Sequence, residues 1–483
     1  MKRPPSRRQT SIAATLALAV VAVFVWVGGF AARQADAAPP EQPPNVVFFL
    51  VDDLGWTDLG CYGSDFYRTP NIDKLAADGM KFTQNYSACN ACSPTRGALM
   101  TGMYPARTHL TDWIPGWAKQ YGDFQLLPPP WTRHLEQKYT TLPEALHEAG
   151  YTTWHLGKWH LGGPGDLPQD HGFDVNIGGS IRGLPPSYHF PYGGQATQWD
   201  SNLPESRREG VYLTDRLADE AVTLIERRRD QPFFLYFSFY AVHSPIQGRP
   251  DLVAQYKQLP PGRRHKNPAY AAMVEAVDEA VGRVRAQLEE SGIADRTLIV
   301  FTSDNGGVHR RTSNNAPLRG EKGQHWEGGT RVPAIVHWPG VTRPGSVCDE
   351  QVITMDYYPT ILEIAGAPGD AARNADVDGV SLTALLKDPR ASLGREALYW
   401  HYPHYNPFVG IPYSAVRAGD YKLIEYHEDG RTELYNLADD LAEEHDLAAS
   451  QADVAARLQK QLHDHLERVG AQMPVPNPNF KPE

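Results

Sequence analysis

Cysteine is scarce in this chain: 483 residues carry four, Cys61, Cys89, Cys92 and Cys348. A dense disulfide scaffold is therefore excluded. No second Cys-x-x-Cys accompanies Cys89 and Cys92, which excludes a four-cysteine zinc site. Basic charge is also in deficit. Lys and Arg number 46 against 57 Asp and Glu, a formal net charge of −11, so a broad basic surface for nucleic acid is excluded. No internal repeat is present, and long apolar runs are absent beyond the first 37 residues.

That one apolar run extends from Ile12 to Ala32. It follows Lys2, Arg3, Arg7 and Arg8 and precedes Ala35-Asp36-Ala37, a small-residue cleavage site. Residues 1–37 thus have the layout of a secretory signal peptide, and a periplasmic or secreted protein is expected. The run is also long enough for an uncleaved N-terminal membrane anchor. Ser6-Arg7-Arg8 resembles a twin-arginine signal, although Thr10 stands where a bulky apolar residue is usual. Cleavage after residue 37 would remove five cations and one acid, leaving 41 minus 56, or −15. An anionic substrate would then need cations gathered locally.

The remaining chain alternates buried strands with helices. Continuous apolar runs at Asn45–Leu50, Thr152–Leu156, Phe233–Tyr240, Leu298–Thr302 and Ala334–Trp338 read as strands covered on both faces. Helices are expected after Asn71, from the capping box Thr141/Glu144, over Leu213–Arg229, and along the stripe Tyr270, Val274, Val277, Val281, Val284, Leu288. This predicts an α/β fold with a large, mixed but mostly parallel sheet between helices. After residue 370 short alternating strands and a helix containing Val454, Leu458, Leu462 and Leu466 predict a small antiparallel sheet plus helix. The expected organisation is 1–37 signal peptide, 38–370 catalytic domain, 371–472 C-terminal α+β subdomain, and 473–483 a flexible proline-containing tail.

Ligands of open α/β sheets bind beyond the C-terminal strand ends. Here those ends carry Asp52-Asp53, Gly157-Lys158-Trp159-His160, His243-Ser244-Pro245 and Asp304-Asn305. Asp52, Asp53, Asp304 and Asn305 supply hard oxygen donors, which suit Ca2+ or Mg2+ better than zinc or copper. Three clustered carboxylates without a cation would repel strongly.

Residues 92–102 read Cys92-Ser93-Pro94-Thr95-Arg96-Gly97-Ala98-Leu99-Met100-Thr101-Gly102. Pro94 favours a helix start, placing Cys92 at a helix N-terminus where an anion is attracted, with Arg96 one turn on. This stretch resembles the signature of the type I sulfatases of the alkaline phosphatase superfamily, with Thr95 in place of the commoner Ser. The segment Gly150–His160 resembles the second signature of that family. Lys322, ahead of Glu327-Gly328-Gly329-Thr330-Arg331-Val332-Pro333, and His243 before Pro245 also match it in order.

The resemblance implies sulfate monoester hydrolysis. It implies that Cys92 is oxidised to formylglycine by a formylglycine-generating enzyme, and that one Ca2+ is held by Asp52, Asp53, Asp304, Asn305 and residue 92. It further implies that Lys158, Lys322 and Arg96 neutralise the sulfate, that Asp304 activates the nucleophile, that His243 protonates the departing alcohol, and that His160 assists sulfate release. The substrate would be an aryl sulfate or, more in keeping with export, a sulfated glycan. Asp112, Trp113, Trp117, His189, His401 and His404 are candidates for a sugar site. With Cys92 converted, Cys61, Cys89 and Cys348 could form one disulfide at most. Alternatives are a phosphonate or phosphate ester hydrolase using the same aldehyde, a non-catalytic glycan-binding protein, and a redox Cys89–Cys92 pair. Oligomeric state is not legible.

Overall fold

The computed structural model describes Met1 and residues 43–193, 202–203, 210–227, 230–309, 312–367, 376–408 and 410–481. Residues 2–37 of the expected signal segment and the boundary near residue 370 lie outside the described residues. Among the described residues, no helix is long and apolar enough to cross a membrane.

The core is an eight-stranded sheet: β1 Asn45–Val51, β2 Met80–Phe82, β3 Thr152–Gly157, β4 Val175–Ile177, β5 Phe233–Ser238, β6 Thr297–Ser303, β7 Ala334–His337 and β8 Ser346–Cys348. Its order is β8-β2-β7-β6-β1-β5-β3-β4. All strands run parallel except β7, which is antiparallel to both β6 and β2. β1 is central and shows why its sequence is apolar at every position. Val47, Phe49 and Val51 enter one core, and Val46, Phe48 and Leu50 enter the other. Each such side chain contributes roughly 1.5–3 kcal/mol on burial.

Helices cover both faces: α1 Pro70–Asp78, α2 Cys92–Thr101, α3 Leu142–Glu148, α4 Leu213–Arg227, α5 Pro268–Glu290 and α6 Tyr357–Ala365. The capping box at Thr141 forms, and Asn267 caps α5 by accepting from the Ala269 and Tyr270 amides. The apolar stripe of α5 is buried from Tyr270 to Leu288.

A second, antiparallel sheet follows: β9 Leu398–Tyr402, β10 Tyr413–Ala418, β11 Tyr421–Tyr426 and β12 Thr432–Asn436, in that order. Helix α7, Ala452–Arg468, packs on it through Leu458, Leu462 and Leu466. Within the tail expected to be flexible, residues 475–477 make specific contacts. Val475–Pro476 pair antiparallel with Leu126–Leu127, and the Asn477 side chain donates to the Gly122 and Phe124 carbonyls. Proline is tolerated there because an edge strand needs fewer donors. All four cysteines are free, so the single disulfide allowed by the sequence does not form.

Candidate active site

Strand register builds the site. In the ladders Val51 pairs with Ser303, and Ser238 pairs with both Leu50 and Gly157. The four adjacent strands β6, β1, β5 and β3 therefore end level, and Asp304, Asp52, Ser238 and Lys158 share one edge. Asp53 turns back with φ +62 and His160 with φ +59, left-handed conformations that few non-glycine residues adopt and that cluster at functional sites.

Cys92 meets this edge from α2. It is the first residue of the helix, so the helix starts two residues before Pro94. Thr95 ties the turn: its hydroxyl lies 3.1 Å from the Cys89 carbonyl and 3.2 Å from that of Ala91. The Cys92 Sγ lies 3.3 Å from Lys322 Nζ and 3.7 Å from Asp52 Oδ1. Lys158 Nζ donates to Asp52 Oδ2 at 2.7 Å, and Lys322 Nζ donates to Asp53. Arg96 donates from Nε and Nη2 to Asp304 Oδ2 at 3.0 and 2.7 Å. Its Nη1 reaches the Lys158 carbonyl and the Ser238 hydroxyl. Arg96 is thus committed to holding Asp304 and the strand ends, and does not face open space. Ser238 is a site residue that the sequence does not mark, because the run Phe233–Tyr240 reads as one strand whereas the strand ends at Ser238.

The Lys322 loop reaches the Asp304 loop through glycine. A Cβ on Gly306 would lie 1.8 Å from the Gly328 carbonyl oxygen, so only hydrogen fits there. Asn305 donates to Asp53 Oδ1 at 2.8 Å, while its own Oδ1 is buried without a partner. Asp52, Cys92 and Asp304 present ligand-type atoms all within 4.8 Å of one another. An orphaned amide oxygen beside three buried carboxylates is a donor set that fits a hard divalent cation.

Electrostatics follow from burial. Burial holds Asp52 above the usual carboxylate range, against the pull of Lys158. Burial would raise Asp53 too, but Lys322, with His243 and Lys158, outweighs it and keeps Asp53 well below that range. Burial pushes the Cys92 thiol up to about 12 despite both lysines. His243 is lowered to about 4 by burial, opposed by Asp53, whose Oδ2 lies 3.6 Å from its Nε2.

His160 stands apart from the hydrogen-bonded cluster. Strand β3 ends at Gly157, so alternation does not aim this ring. Its Nε2 contacts the Ile114 carbonyl at 2.6 Å and its Nδ1 is buried without a partner. Trp159 does point away, into the core beside Phe173.

A cleft of about 700 Å3 opens over Asp53 and His243, walled by Ile246, Val308, Pro407 and Phe408 among others. The residues suggested for a sugar site lie elsewhere. Asp112 accepts from Tyr402, His404 bonds Thr111, and His401 sits between Ser414 and Gln472, all buried. Trp117 packs on Phe124, His189 beside Tyr212, and Trp113 against the C-terminal core. Trp113, Trp117 and His189 stay partly exposed, and none of the six lines the cleft over Asp53 and His243.

The comparisons agree with this geometry. A family profile described as Sulfatase matches residues 44–367, and one described as N-sulphoglucosamine sulphohydrolase, C-terminal, matches residues 321–472. A sulfatase of Formosa agariphila is 35% identical over 476 residues, 84% of this chain and 85% of the relative. The N-acetylgalactosamine-6-sulfatase of Mus musculus is 35% identical over 409 residues, covering 80% and 72% of the two chains. The crystal structure of Ps i-CgsB in complex with k-i-k-neocarrahexaose superposes with a TM-score of 0.75 at 30% identity, covering 92% of this chain and 95% of that one. The chain belongs to the sulfatase family: it is a sulfuric ester hydrolase with the alkaline phosphatase fold.

Proposed function

We propose that the protein hydrolyses a sulfate monoester of a carbohydrate, using a formylglycine made from Cys92. The observation that carries this reading is the position of Cys92, wedged between Lys322 and Asp52 at the meeting point of four strand ends. Hydrated formylglycine supplies one hydroxyl to attack sulfur and a second whose deprotonation releases sulfate. Asp52, Asp53, Asp304 and Asn305 would hold a divalent cation, which we assign as Ca2+, and it would supply Lewis-acid charge stabilisation.

The chain's own groups divide the remaining work. Lys158 and Lys322 place positive charge beside residue 92, where the sulfate oxygens gain charge in the transition state. Arg96 fixes Asp304, the candidate base for the nucleophile. His243, at the cleft, and Lys322 are the donors for the departing alcohol. His160, with its unpartnered Nδ1, is the candidate acceptor during sulfate release.

A carbohydrate is favoured over a simple aryl ester by relatives named for sugar sulfates and by a neighbour crystallised with a neocarrahexaose. We further propose that residues 1–37 direct export to the periplasm or beyond, and that a formylglycine-generating enzyme acts on Cys92 before folding buries it. Mass spectrometry of the tryptic peptide Phe82–Arg96, from protein made in its own host, tests the conversion. An aldehyde at position 92 is expected; a fully unmodified thiol in active enzyme would overturn this mechanism. Turnover of N-acetylgalactosamine 6-sulfate and of 4-nitrophenyl sulfate, against the matching phosphate ester, tests the reaction.

A further inference from the structure

The cleft over Asp53 and His243 is completed by a loop from the C-terminal sheet. Residues between β9 and β10 bring Pro407 and Phe408 into its wall, which Val242 and Ile246 also line. That loop is latched to the catalytic loop carrying Lys322. Asn406 Nδ2 donates to the Gly323 carbonyl at 2.7 Å, while Asn406 Oδ1 accepts from the Phe408 amide at 2.9 Å and the Gly410 amide at 3.2 Å. Gln324 Nε2 donates to the Phe408 carbonyl at 2.9 Å. The Phe408 ring lies against Gly323, the neighbour of Lys322. A Cβ added to that glycine, which has φ +80, would stand 2.9 Å from the ring's Cδ2. Phe408 nevertheless remains partly exposed.

Two hydrogen bonds thus tie the segment around Phe408 to the Lys322 loop, and the ring, packed on Gly323, lines the cleft while staying partly exposed. The sulfate end of an ester belongs near Asp53, which lines the cleft beside His243 and accepts from the buried Lys322. The alcohol end must lie higher, where Val308, Ile246, Pro407 and Phe408 offer apolar surface. We propose that Phe408 is a specificity-determining residue: its ring is the platform on which the ring of the sulfated alcohol stacks, with Asn406 as the residue that positions it. The C-terminal sheet therefore selects the alcohol while the main sheet binds the sulfate. This rests on the proposed sulfate ester reaction, and it extends that reading to the alcohol, which must present a flat apolar face such as a pyranose or an aryl ring.

Binding to the non-turning Cys92→Ala protein separates the two ends of the ligand. The probes are 4-nitrophenyl sulfate, N-acetylgalactosamine 6-sulfate and inorganic sulfate, each titrated calorimetrically. Adding Phe408→Ala should weaken both esters about ten-fold, the upper range for one aromatic contact, and leave inorganic sulfate within two-fold. Phe408→Trp should keep ester affinity. Unchanged ester affinity in Phe408→Ala would overturn the proposal. So would parallel weakening of esters and sulfate, which would mean that the substitution only disturbs the Lys322 loop. Because the readout is binding, failure of the proposed reaction shows instead as absent turnover by the unsubstituted enzyme.

Discussion

At position 92 the thiol touches Lys322 and faces Asp52, so a change there alters chemistry more than packing. Cys92→Ala is expected to lower turnover more than about 1,000-fold, since removing a nucleophile usually costs at least that. Its melting temperature should stay within about 3 °C, because one small buried group is worth about 1 kcal/mol. Substantial residual sulfate release would contradict a role for residue 92. Asp304 carries a double load, as candidate metal ligand and as partner of Arg96. Asp304→Ala strands a fully buried guanidinium, so a loss of about 3–5 kcal/mol in denaturant unfolding is expected. Bound metal, read by atomic emission on the purified protein, should fall as well; unchanged metal content would remove Asp304 from the ligand set.

Among the elements, the loop bearing Lys322 depends on the second sheet. Its short helix starts at Glu327, whose carboxylate accepts from Tyr86 and from Lys422 on β11. Lys422 also donates to Glu443, which in turn accepts from the Glu327 amide. Lys422 and both carboxylates are fully buried, so neither acid could be left unpaired cheaply. Lys422→Met takes the cation from Glu443, while Glu327 keeps Arg331 at 3.4 Å, so the fold should lose about 3 kcal/mol. Activity should also fall at temperatures where the variant remains folded, because the loop that places Lys322 beside Cys92 loses its anchor on the second sheet. Retained stability in urea titration would show that the two glutamates are satisfied without this lysine.

Over the molecule as a whole, several histidines are buried neutral. Burial lowers His401 to about 4, and His155, His427 and His465 each to about 3. In the unfolded chain these groups titrate near 6.5. Above that pH neither state binds the extra protons, and the histidines leave stability unchanged. As pH falls from about 6.5 toward 4, only the unfolded state takes them up, so stability declines. The slope approaches about 1.4 kcal/mol per pH unit for each histidine. Unfolding measured between pH 7 and 4 should show this loss, and His401→Gln, which keeps a hydrogen-bonding side chain near Ser414, should make the decline shallower. An unaltered slope would mean that His401 is already charged in the folded protein.

Local pattern and covalent order determined much of this protein by themselves. Continuous apolar runs of the β1 type can be buried only between two helical layers, so the sheet was legible, as were α5 from its stripe and α3 from Thr141 and Glu144. Polar residues placed directly after such runs, Asp52, Asp53, Lys158, Asp304 and Asn305, come to one edge, where Cys92, Arg96 and Lys322 meet them from a helix and a loop. Tertiary structure decided the rest. The reversed direction of β7, the pairing of Val475–Pro476 with Leu126–Leu127, and the inclusion of Ser238 all depend on hydrogen-bond partners far away in the chain. The commitment of Arg96 to Asp304, and the burial of His401 and His404 away from the cleft, depend on what packs around each side chain. Residue type and spacing prescribe which groups seek burial or charge; they do not specify which distant neighbour arrives, because that is set by how whole layers close on one another.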